Sequence, residues 1–309
     1  QVGTRTARLR GKGDAAVLWI KGTRLGRAAK VDQNPRYSRL HPRLGAMHAL
    51  AEACRNVSVV GAKPLAYTDG LNLGSPETPE GYHELAETIA GLKEASEALG
   101  VPVVSGNVSL YDESGGTRIP PTAMVGVVGV LEVDKRAEMG FRRPGEVLLL
   151  IGEERGELGA SEVLYLVTGK EFGHPPRLDL GREKAVQEAI RDLIQRGLTR
   201  TAHDVAEGGL LLALAEMTFP YGVGATVEVR EEGLEALFGE APSRVLFTVE
   251  KTRLQEATLL LEERGLPYRV LGETGGKSLT VLTPGGVLEW SLEELLSAWK
   301  APLREVLDG

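Results

Sequence analysis

The stretch Gly100–Tyr111, GVPVVSGNVSLY, constrains the fold of this 309-residue chain more than any other. Apolar β-branched residues flank a Ser-Gly-Asn triplet, and such residues favour strands whereas Ser, Gly and Asn favour turns. The pattern predicts a short buried strand over Val101–Val104, a turn at Ser105-Gly106-Asn107 and a second strand from Val108.

The same triplet offers groups that bind ligands. Gly106 has no Cβ, so the backbone at this position can approach a ligand closely. Asn107 and Ser109 add amide and hydroxyl groups, and such oxygens suit a hard cation such as magnesium, or a phosphate. A Ser-Gly-Asn turn without a ligand is the commoner case, so the stretch gains meaning only from polar clusters elsewhere.

One such cluster lies on a predicted helix, Leu44–Val57, whose apolar residues recur at intervals of three and four. His48, Glu52 and Asn56 recur every four residues on a different face, so their side chains point the same way. This second face is either a solvated surface or a pair of metal ligands from Glu52 and Asn56.

Further carboxylates are predicted beside strands. Asp14 precedes an apolar strand, and Asp69 is placed at the end of a strand over Leu65–Thr68. Asp204 lies in the loop Thr201–Gly209, where it either caps the following helix or reaches a cation. A set of oxygen groups at element ends is typical of a magnesium-phosphate site, here without a Walker motif.

A phosphate loop is excluded at Gly272–Ser278. The segment lacks the G-x-x-x-x-G-K-[ST] spacing, and a strand rather than a helix is expected after it. We interpret it as a hairpin turn.

The pattern of strands and helices predicts an α+β protein of two domains. The charged segment over residues 136–145 contains Pro144 and Gly145 and divides the chain into residues 1–135 and 146–309.

Composition excludes several classes of partner. The net charge of −7 and pI near 5.5 argue against nucleic acid, which usually meets a basic face. The sequence contains no run of about 18 apolar residues, so no membrane span is predicted. A single cysteine, Cys54, excludes an internal disulfide and fits the cytoplasm.

Several motifs together resemble the PurL family, the phosphoribosylformylglycinamidine synthase (formylglycinamide ribonucleotide amidotransferase) subunit, within the aminoimidazole ribonucleotide synthetase-like superfamily. They cover nearly the whole chain in the family's order. The motifs are GDAAVL (13–18), NPRY (34–37), AEACRN (51–56), TDGLNLG (68–74), GVPVVSGNVSL (100–110), ELGASE (157–162) and TAHDVAEGG (201–209).

The resemblance implies a fold, a reaction and partners. PurL holds two tandem copies of a two-domain unit, and this chain resembles the second copy, the C-terminal half. Its first domain is expected to pair with a like domain in a barrel-like interface. The family uses ATP to activate formylglycinamide ribonucleotide for attack by glutamine-derived ammonia. The implied partners are the N-terminal half of PurL, the glutaminase PurQ, and PurS; a homodimer of this chain is a further expectation.

Site residues follow from the same motifs. Asp69 and Gly106 match ATP-binding positions, Asn107 a magnesium ligand and Ser109 a substrate contact. The resemblance also implies a second, auxiliary site for ATP or ADP, whose magnesium ligands are Asp14, Glu52, Asn56 and Asp204. The family's catalytic histidine lies in the other copy, so we expect no catalytic residue in this chain and no activity from it alone.

Three interpretations therefore stand. The chain is the nucleotide-contributing half of a ligase, or a non-catalytic structural module with an auxiliary nucleotide site, or a free-standing kinase-like relative that works as a homodimer. Asn107 and Ser109 favour the first, because a purely structural module does not require them. The third is disfavoured, because these relatives rely on a glycine-rich segment that is not found before Gly13.

Overall fold

A computed structural model describes residues 12–154 and 156–308 of the chain. Residues 1–11 of the predicted first domain lie outside the described residues. The first part of the described chain forms β1 (Ala16–Trp19), β2 (Leu25–Asp32), α1 (Pro35–Leu40), α2 (Pro42–Val59), β3 (Lys63–Asn72), α3 (Pro79–Leu99), β4 (Val103–Ser109), β5 (Glu113–Ser114), β6 (Thr117–Arg118) and β7 (Thr122–Glu132).

The first sheet has the strand order β1-β2-β7-β3-β4, with β5 and β6 forming a small separate ribbon. Helix α3 connects the parallel neighbours β3 and β4, as a parallel crossover requires. The sequence predicts that Thr78 caps this helix, with Pro79 in its first turn, and that Gly100 ends it. The structure confirms both ends: the Thr78 hydroxyl accepts from the Gly81 N–H at 3.1 Å, and Gly100 ends the helix at φ 70°. This unit places Gly100–Tyr111 at the edge of the sheet.

The predicted turn at Ser105-Gly106-Asn107 is wrong. These residues lie inside β4, a single strand over Val103–Ser109, and every residue of it except Ser109 is exposed. The predicted buried strand is wrong as well, because Val103 and Val104 are 50% and 68% exposed. The apolar pattern reflects a strand at the sheet edge with only β3 beside it.

The second part of the described chain builds a larger sheet. Its elements are β8 (Val147–Ile151), α4 (Glu162–Thr168), α5 (Leu180–Gln195), β9 (Thr201–Asp204), α6 (Gly209–Thr218), β10 (Ala225–Glu228), α7 (Leu234–Phe238), β11 (Val245–Val249), α8 (Leu254–Glu263), β12 (Tyr268–Thr274), β13 (Ser278–Thr283), β14 (Gly286–Ser291) and α9 (Leu292–Asp308). The strand order is β14-β13-β10-β12-β8-β11-β9.

Helices cover both faces of this second sheet. Every residue of β8 and β11 is buried, which fits a strand enclosed on both sides. One face packs on α5 and α8, and the other on α6. The architecture confirms the predicted two-domain α+β class. Within the described residues neither sheet closes on itself, so the barrel-like interface stays a prediction, as does the division at 1–135 and 146–309.

The connection at Gly272–Ser278 is not a hairpin. It leads from β12 to β13, and these strands flank β10 on opposite sides instead of pairing with each other. Gly224, just before β10, exchanges backbone hydrogen bonds with Gly275 and Gly276. The sequence could not show this, because β10 precedes the connection by about fifty residues.

Helix α2 lies between the two sheets. It packs on the first sheet through residues such as Leu50 and Val57, and its other side contacts α5 and β9. His48 and Asn56 are therefore buried at 4% exposure each, and the face predicted to be either solvated or functional is enclosed. This burial brings polar residues of both parts of the chain together.

The opposite face of the first sheet carries exposed apolar side chains. Val31, Met124 and Val128 are 62%, 43% and 45% exposed. Each pairs, in the sheet register, with a residue on the face away from α2. Separately, none of the helices in the described part of the chain is long and apolar enough to span a membrane.

The packing of α2 predicts that Leu50→Ala destabilises the protein by about 2–5 kcal/mol, because Leu50 is fully buried and the truncation leaves a cavity. Leu166→Ala is the matched control, since Leu166 is 77% exposed; its free energy of unfolding should change by less than about 0.5 kcal/mol. Urea denaturation measures both. Equal losses in the two variants would contradict the central place of α2.

Candidate functional site

The four residues predicted to contact ATP, magnesium and substrate lie along β3 and β4, but on opposite faces. Asp69 pairs with Gly106, so both point to the same side of the sheet. Asn107 and Ser109 pair with Gly70 and Asn72 and point to the other side. The structure therefore brings the four residues to one sheet edge as two pairs.

Asp69 and Gly106 are in direct contact. Asp69 lies inside β3 rather than at its end, which corrects the predicted position. A Cβ added to Gly106 would overlap the Asp69 carboxylate, so glycine keeps that carboxylate next to the strand. Burial raises the pKa of Asp69, opposed by a hydrogen bond from the Asn107 backbone N–H. On the other face, the Ser109 hydroxyl donates to Asp112 at 2.9 Å.

The residues predicted for the auxiliary site do meet, at the contact between the two sheets. We call Asp14, Glu52, Asn56 and Asp204 the interdomain cluster. The Asn56 side chain donates to an Asp204 oxygen at 3.2 Å and to the Glu52 backbone carbonyl at 2.8 Å. The backbone N–H of Asp204 donates to Asp14 at 3.0 Å. Residues from three distant segments thus form one polar group.

Asp204 does not cap the helix that follows it. It is the last residue of β9, and Gly208 occupies the N-terminal cap of α6. Of the two alternatives that the sequence left open, the helix cap is wrong, and the Asp204 carboxylate points into the interdomain cluster.

Arg55 holds the cluster together, although no spacing rule in the sequence pointed to it. Its guanidinium pairs with Asp204, with Glu183 at 2.9 Å and more distantly with Glu52 at 3.8 Å. Arg55 is 1% exposed. The signal lay in the AEACRN motif, where Arg55 directly precedes Asn56.

Glu183 completes this network from helix α5. Its carboxylate accepts from Gln187 at 2.9 Å and from the Ser243 hydroxyl at 2.6 Å, besides its ion pair with Arg55. Every oxygen of this fully buried carboxylate therefore has a partner. Hydrogen bonds of this kind are what allow a charged group to be buried.

A second ion pair orders the other end of the cluster. His203 Nδ1 lies 2.7 Å from Asp14, and Nε2 lies 3.1 Å from Glu216. Burial works against the charged imidazole, but Asp14 and Glu216 raise the pKa of His203 to about 10. Burial likewise opposes ionisation of Asp14, yet charged His203 leaves the pKa of Asp14 below its usual value. His203 is therefore a cation at neutral pH and no general base.

The remaining carboxylates repel one another. Burial raises the pKa of Glu52 well above its ordinary value, and nearby Glu207, Asp32 and Asp204 raise it further. Burial also raises the pKa of Asp32 to about 6, although Lys30 lies 3.6 Å away and opposes the rise. A nearby positive charge would stabilise the ionised form of these crowded carboxylates and lower their raised pKa values.

The side-chain oxygens of the interdomain cluster are of the type that binds a hard cation, because magnesium prefers carboxylate and amide oxygens as ligands. Within residues 12–154 and 156–308, however, no three His, Cys, Asp or Glu side chains converge on one point suited to a metal ion. The chamber beside Glu52 and Arg55 has about 10 Å³, roughly the space of one water molecule. Arg55 contacts one Asp204 oxygen and Asn56 the other, so a cation that binds Asp204 competes with these two groups.

A larger cavity of about 320 Å³ adjoins this chamber and shares Ala241 and Pro242 with it. Its charged lining is balanced, with three arginines and three acidic residues: Arg177, Arg182, Arg244, Glu153, Glu157 and Asp179. Burial lowers the pKa of Arg244 to about 10, so it stays charged at neutral pH. Its guanidinium donates to backbone carbonyls, including Gly239 at 2.6 Å. Among these charged groups, the arginines are the ones that suit a phosphate group that comes with its cation.

Models of one protein family match both parts of the chain. The AIR synthase related protein N-terminal domain matches residues 12–131, and the AIR synthase related protein C-terminal domain matches residues 143–283. The two matched ranges correspond to the two sheets.

Individual relatives are similar over the whole chain. PurL of Thermus thermophilus, a phosphoribosylformylglycinamidine synthase subunit, is 98% identical over 309 residues, which are 100% of this chain and 43% of that protein. PurL of Thermomicrobium roseum is 48% identical over 98% of this chain and 42% of its own length. The chain thus spans less than half the length of these curated relatives.

Solved structures share the fold. T. maritima PurL complexed with FGAR superimposes with a TM-score of 0.81 at 20% identity, covering 94% of this chain and 49% of that one. T. maritima PurL complexed with ATP gives 0.71 at 20% identity, with coverage of 95% and 46%. PurLQS from Thermotoga maritima gives 0.75 at 22% identity, with coverage of 94% and 47%.

We expect Arg55→Met to destabilise the protein by about 3–5 kcal/mol, because it leaves Asp204 and Glu183 buried without their cation. Arg43→Met is the matched control. Arg43 also pairs with a glutamate, Glu94, but both side chains are 44% exposed, so the loss of this surface pair should leave stability nearly unchanged. Urea denaturation at pH 7 measures the free energy of unfolding of both variants. Similar losses of stability would show that the buried ion pairs of Arg55 contribute no more than an exposed pair.

His48 predicts a dependence of stability on pH. Burial lowers the pKa of His48 to about 4, and its Nε2 donates to the Pro176 carbonyl at 2.7 Å. Because the unfolded chain binds the proton more readily, stability is complete above pH 6.5 and falls as pH drops from 6.5 towards 4. His48→Gln keeps a donor and removes the titration. Its free energy of unfolding should fall less over this range than that of the wild type, and parallel curves would refute the assignment.

Proposed function

This chain belongs to the AIR synthase related family, and from that membership we propose that it is one half of phosphoribosylformylglycinamidine synthase, an ATP-dependent ligase of purine biosynthesis. The resemblance of the motifs to PurL is confirmed by 98% identity over the whole chain. In the proposed reaction ATP phosphorylates the amide oxygen of formylglycinamide ribonucleotide. Ammonia derived from glutamine then displaces phosphate and leaves the amidine, formylglycinamidine ribonucleotide.

The observation that carries this proposal is the open edge of the first sheet. Asp69, Gly106, Asn107 and Ser109 all lie on β3 and β4, where β4 has no neighbour on its outer side within the described residues. Because the two pairs point to opposite faces of the sheet, ATP and magnesium held by both pairs would meet round the open outer side of β4. A site of this form is completed by a second surface, and the chain spans 43% of its relative's length.

Each of these residues has a role that suits its chemistry. Gly106 leaves room for the Asp69 carboxylate against the strand, and that carboxylate accepts from an O–H or N–H of ATP, since phosphate oxygens would repel it. The Asn107 amide oxygen would hold magnesium, and the partly exposed Ser109 hydroxyl meets the substrate. Bound magnesium would neutralise part of the charge on the transferred phosphoryl group.

The chain supplies no general base in this proposal. Neither buried histidine can accept a proton at neutral pH and pass it on: His203 is already charged between Asp14 and Glu216, and His48 donates to a carbonyl inside the contact between sheets. We therefore place the catalytic histidine in the complementary half, and we expect this chain alone to be inactive.

The proposed partners follow from the exposed sheet face. Val31, Met124 and Val128 form an apolar surface that suits the corresponding sheet of the N-terminal half of PurL. PurQ would supply ammonia with help from PurS, in the cytoplasm. Without the complementary half, the same face would support a homodimer. The net charge of −7 argues against nucleic acid as a partner, since nucleic acid usually binds a basic surface.

A second candidate function rests on the interdomain cluster. Asp14, Glu52, Asn56 and Asp204 all come from this chain, so an auxiliary ATP or ADP with magnesium could be held without any other chain. The arginines of the adjoining cavity would face its phosphates. In this alternative the chain is a structural module that carries a nucleotide and supports the first half.

Reconstitution separates the two candidates. The purified chain is mixed with the complementary half, and formation of the amidine is measured with ATP, magnesium and ammonia. We expect no activity from the chain alone, activity from the mixture, and a loss of at least about 100-fold in kcat for Asn107→Ala, because the metal ligand acts on the transition state. Ser105→Ala, on the same exposed strand, is the control and should keep its activity.

Calorimetric titration of the reconstituted mixture with ATP, with and without magnesium, complements that assay. Loss of magnesium-dependent binding in Asn107→Ala supports the β4 edge as the working site. Loss in Glu52→Ala alone, together with full activity of reconstituted Asn107→Ala, would refute the proposed ligase contacts and favour the structural module.

A further inference from the structure

A separate cavity lies at the end of the second sheet remote from the interdomain cluster. Strand β9 runs from Thr201 to Asp204 and pairs antiparallel with β11, whose Val245 lies opposite Asp204 and whose Thr248 lies opposite Thr201. The cavity, of about 230 Å³, opens beside the Thr201 end. At about 3.4 Å per residue, β9 separates it from Asp204 by about 10 Å.

Four segments build the cavity wall. They are the link between the two sheets, the turn before β9, the end of β11 and the start of α8. The charged lining consists of Arg142, Arg143, Arg200, Arg253, Glu146 and Glu250. Arginines thus outnumber glutamates by four to two, in a chain whose net charge is −7.

The two glutamates already have partners. Glu250 pairs with Arg143 at 3.5 Å, and Glu146 accepts a hydrogen bond from the Thr248 hydroxyl at 2.6 Å. Arg143 therefore compensates Glu250, whereas Glu146 keeps its charge because the Thr248 hydroxyl is neutral. Glu146 alone cannot offset both of the arginines that have no carboxylate partner.

Two arginines of the lining, Arg142 and Arg200, have no carboxylate partner among the residues that the structure describes. Arg253 pairs with Glu256 at 2.8 Å, but among the described residues Arg200 donates only to the neutral backbone carbonyl of Asp134, at 3.0 Å. Arg142 makes no hydrogen bond or ion pair with any residue that the structure describes. Arg142 and Arg200 approach the cavity from different segments, one on the link between sheets and one before β9.

We propose that this cavity binds a small phosphate-bearing anion through Arg142 and Arg200. Planar guanidinium forks match phosphate oxygens, and two of them from separate segments can hold one phosphate between them. The volume is below the roughly 300–1,000 Å³ of pockets for drug-sized ligands, so the ligand is phosphate, pyrophosphate or a sugar phosphate rather than a whole nucleotide. Binding ties the link between sheets to the second sheet.

The test is calorimetric titration of the whole chain at low ionic strength, because salt screens exposed arginines. Inorganic phosphate, pyrophosphate and ribose 5-phosphate are the three probes, and they distinguish a free anion from an ester. We expect saturable binding of at least one probe. Arg142→Ala and Arg200→Ala should each weaken it at least tenfold, and Arg142→Lys should weaken it less than Arg142→Ala.

Arg196→Ala is the matched control, because Arg196 is exposed on the neighbouring turn and does not line the cavity. Its affinity should equal that of the wild type. Urea denaturation of each variant shows whether a loss of binding comes from unfolding, and the Arg142 variants should unfold as the wild type does because Arg142 is exposed. Absence of saturable binding by all three probes, or equal affinity in Arg142→Ala and Arg196→Ala, overturns the proposal.

Discussion

The buried ion pairs of Arg55 are the interaction on which the rest of the structure depends. Arg55 lies on α2, its partner Glu183 on α5 and its partner Asp204 at the end of β9, so one guanidinium joins the two sheets through three elements. Burying such charges is costly, and it is tolerated here because Gln187 and Ser243 also donate to Glu183. The same contacts hold Asp204 and Asn56 in the interdomain cluster. Fold and candidate site therefore share one set of charges, and a cation that enters the cluster must compete with Arg55 for Asp204.

The two groups of candidate site residues differ in what they need from outside. The interdomain cluster is assembled by folding alone, since Asp14 and Asn56 each form a hydrogen bond with Asp204 within the chain. The β4 edge is open, and its outward residues stand beside an apolar sheet face that includes Met124 and Val128. This difference fits a molecule that folds by itself and completes its other site with a second chain. Edge strands and apolar faces left open in this way are usually covered in a working assembly.

Local signals in the sequence predicted elements well where the physics is local. The hydroxyl of Thr78, the ring of Pro79 and the left-handed Gly100 set the ends of α3, and each acts within one turn of helix. Spacing also placed Glu52 and Asn56 on one face of α2. The turn predicted at the Ser-Gly-Asn triplet was wrong because these residues lie in an edge strand that pairs with β3. The pairing partner is distant in the sequence: Thr68 pairs with Ser105, thirty-seven residues later. The sequence did not indicate the role of Arg55, because its partners Glu183 and Asp204 are 128 and 149 positions away.

The most direct test of the central claim is a crystal of the chain soaked with manganese, a magnesium substitute that scatters anomalously. We expect an anomalous peak among Asp14, Glu52, Asn56 and Asp204, with the Arg55 guanidinium moved off Asp204, because all four ligands belong to one chain. A peak at Asn107 with the Arg55 network unchanged would contradict this expectation, since the cluster would then be a structural ion-pair network and the open β4 edge would bind the cation without a partner.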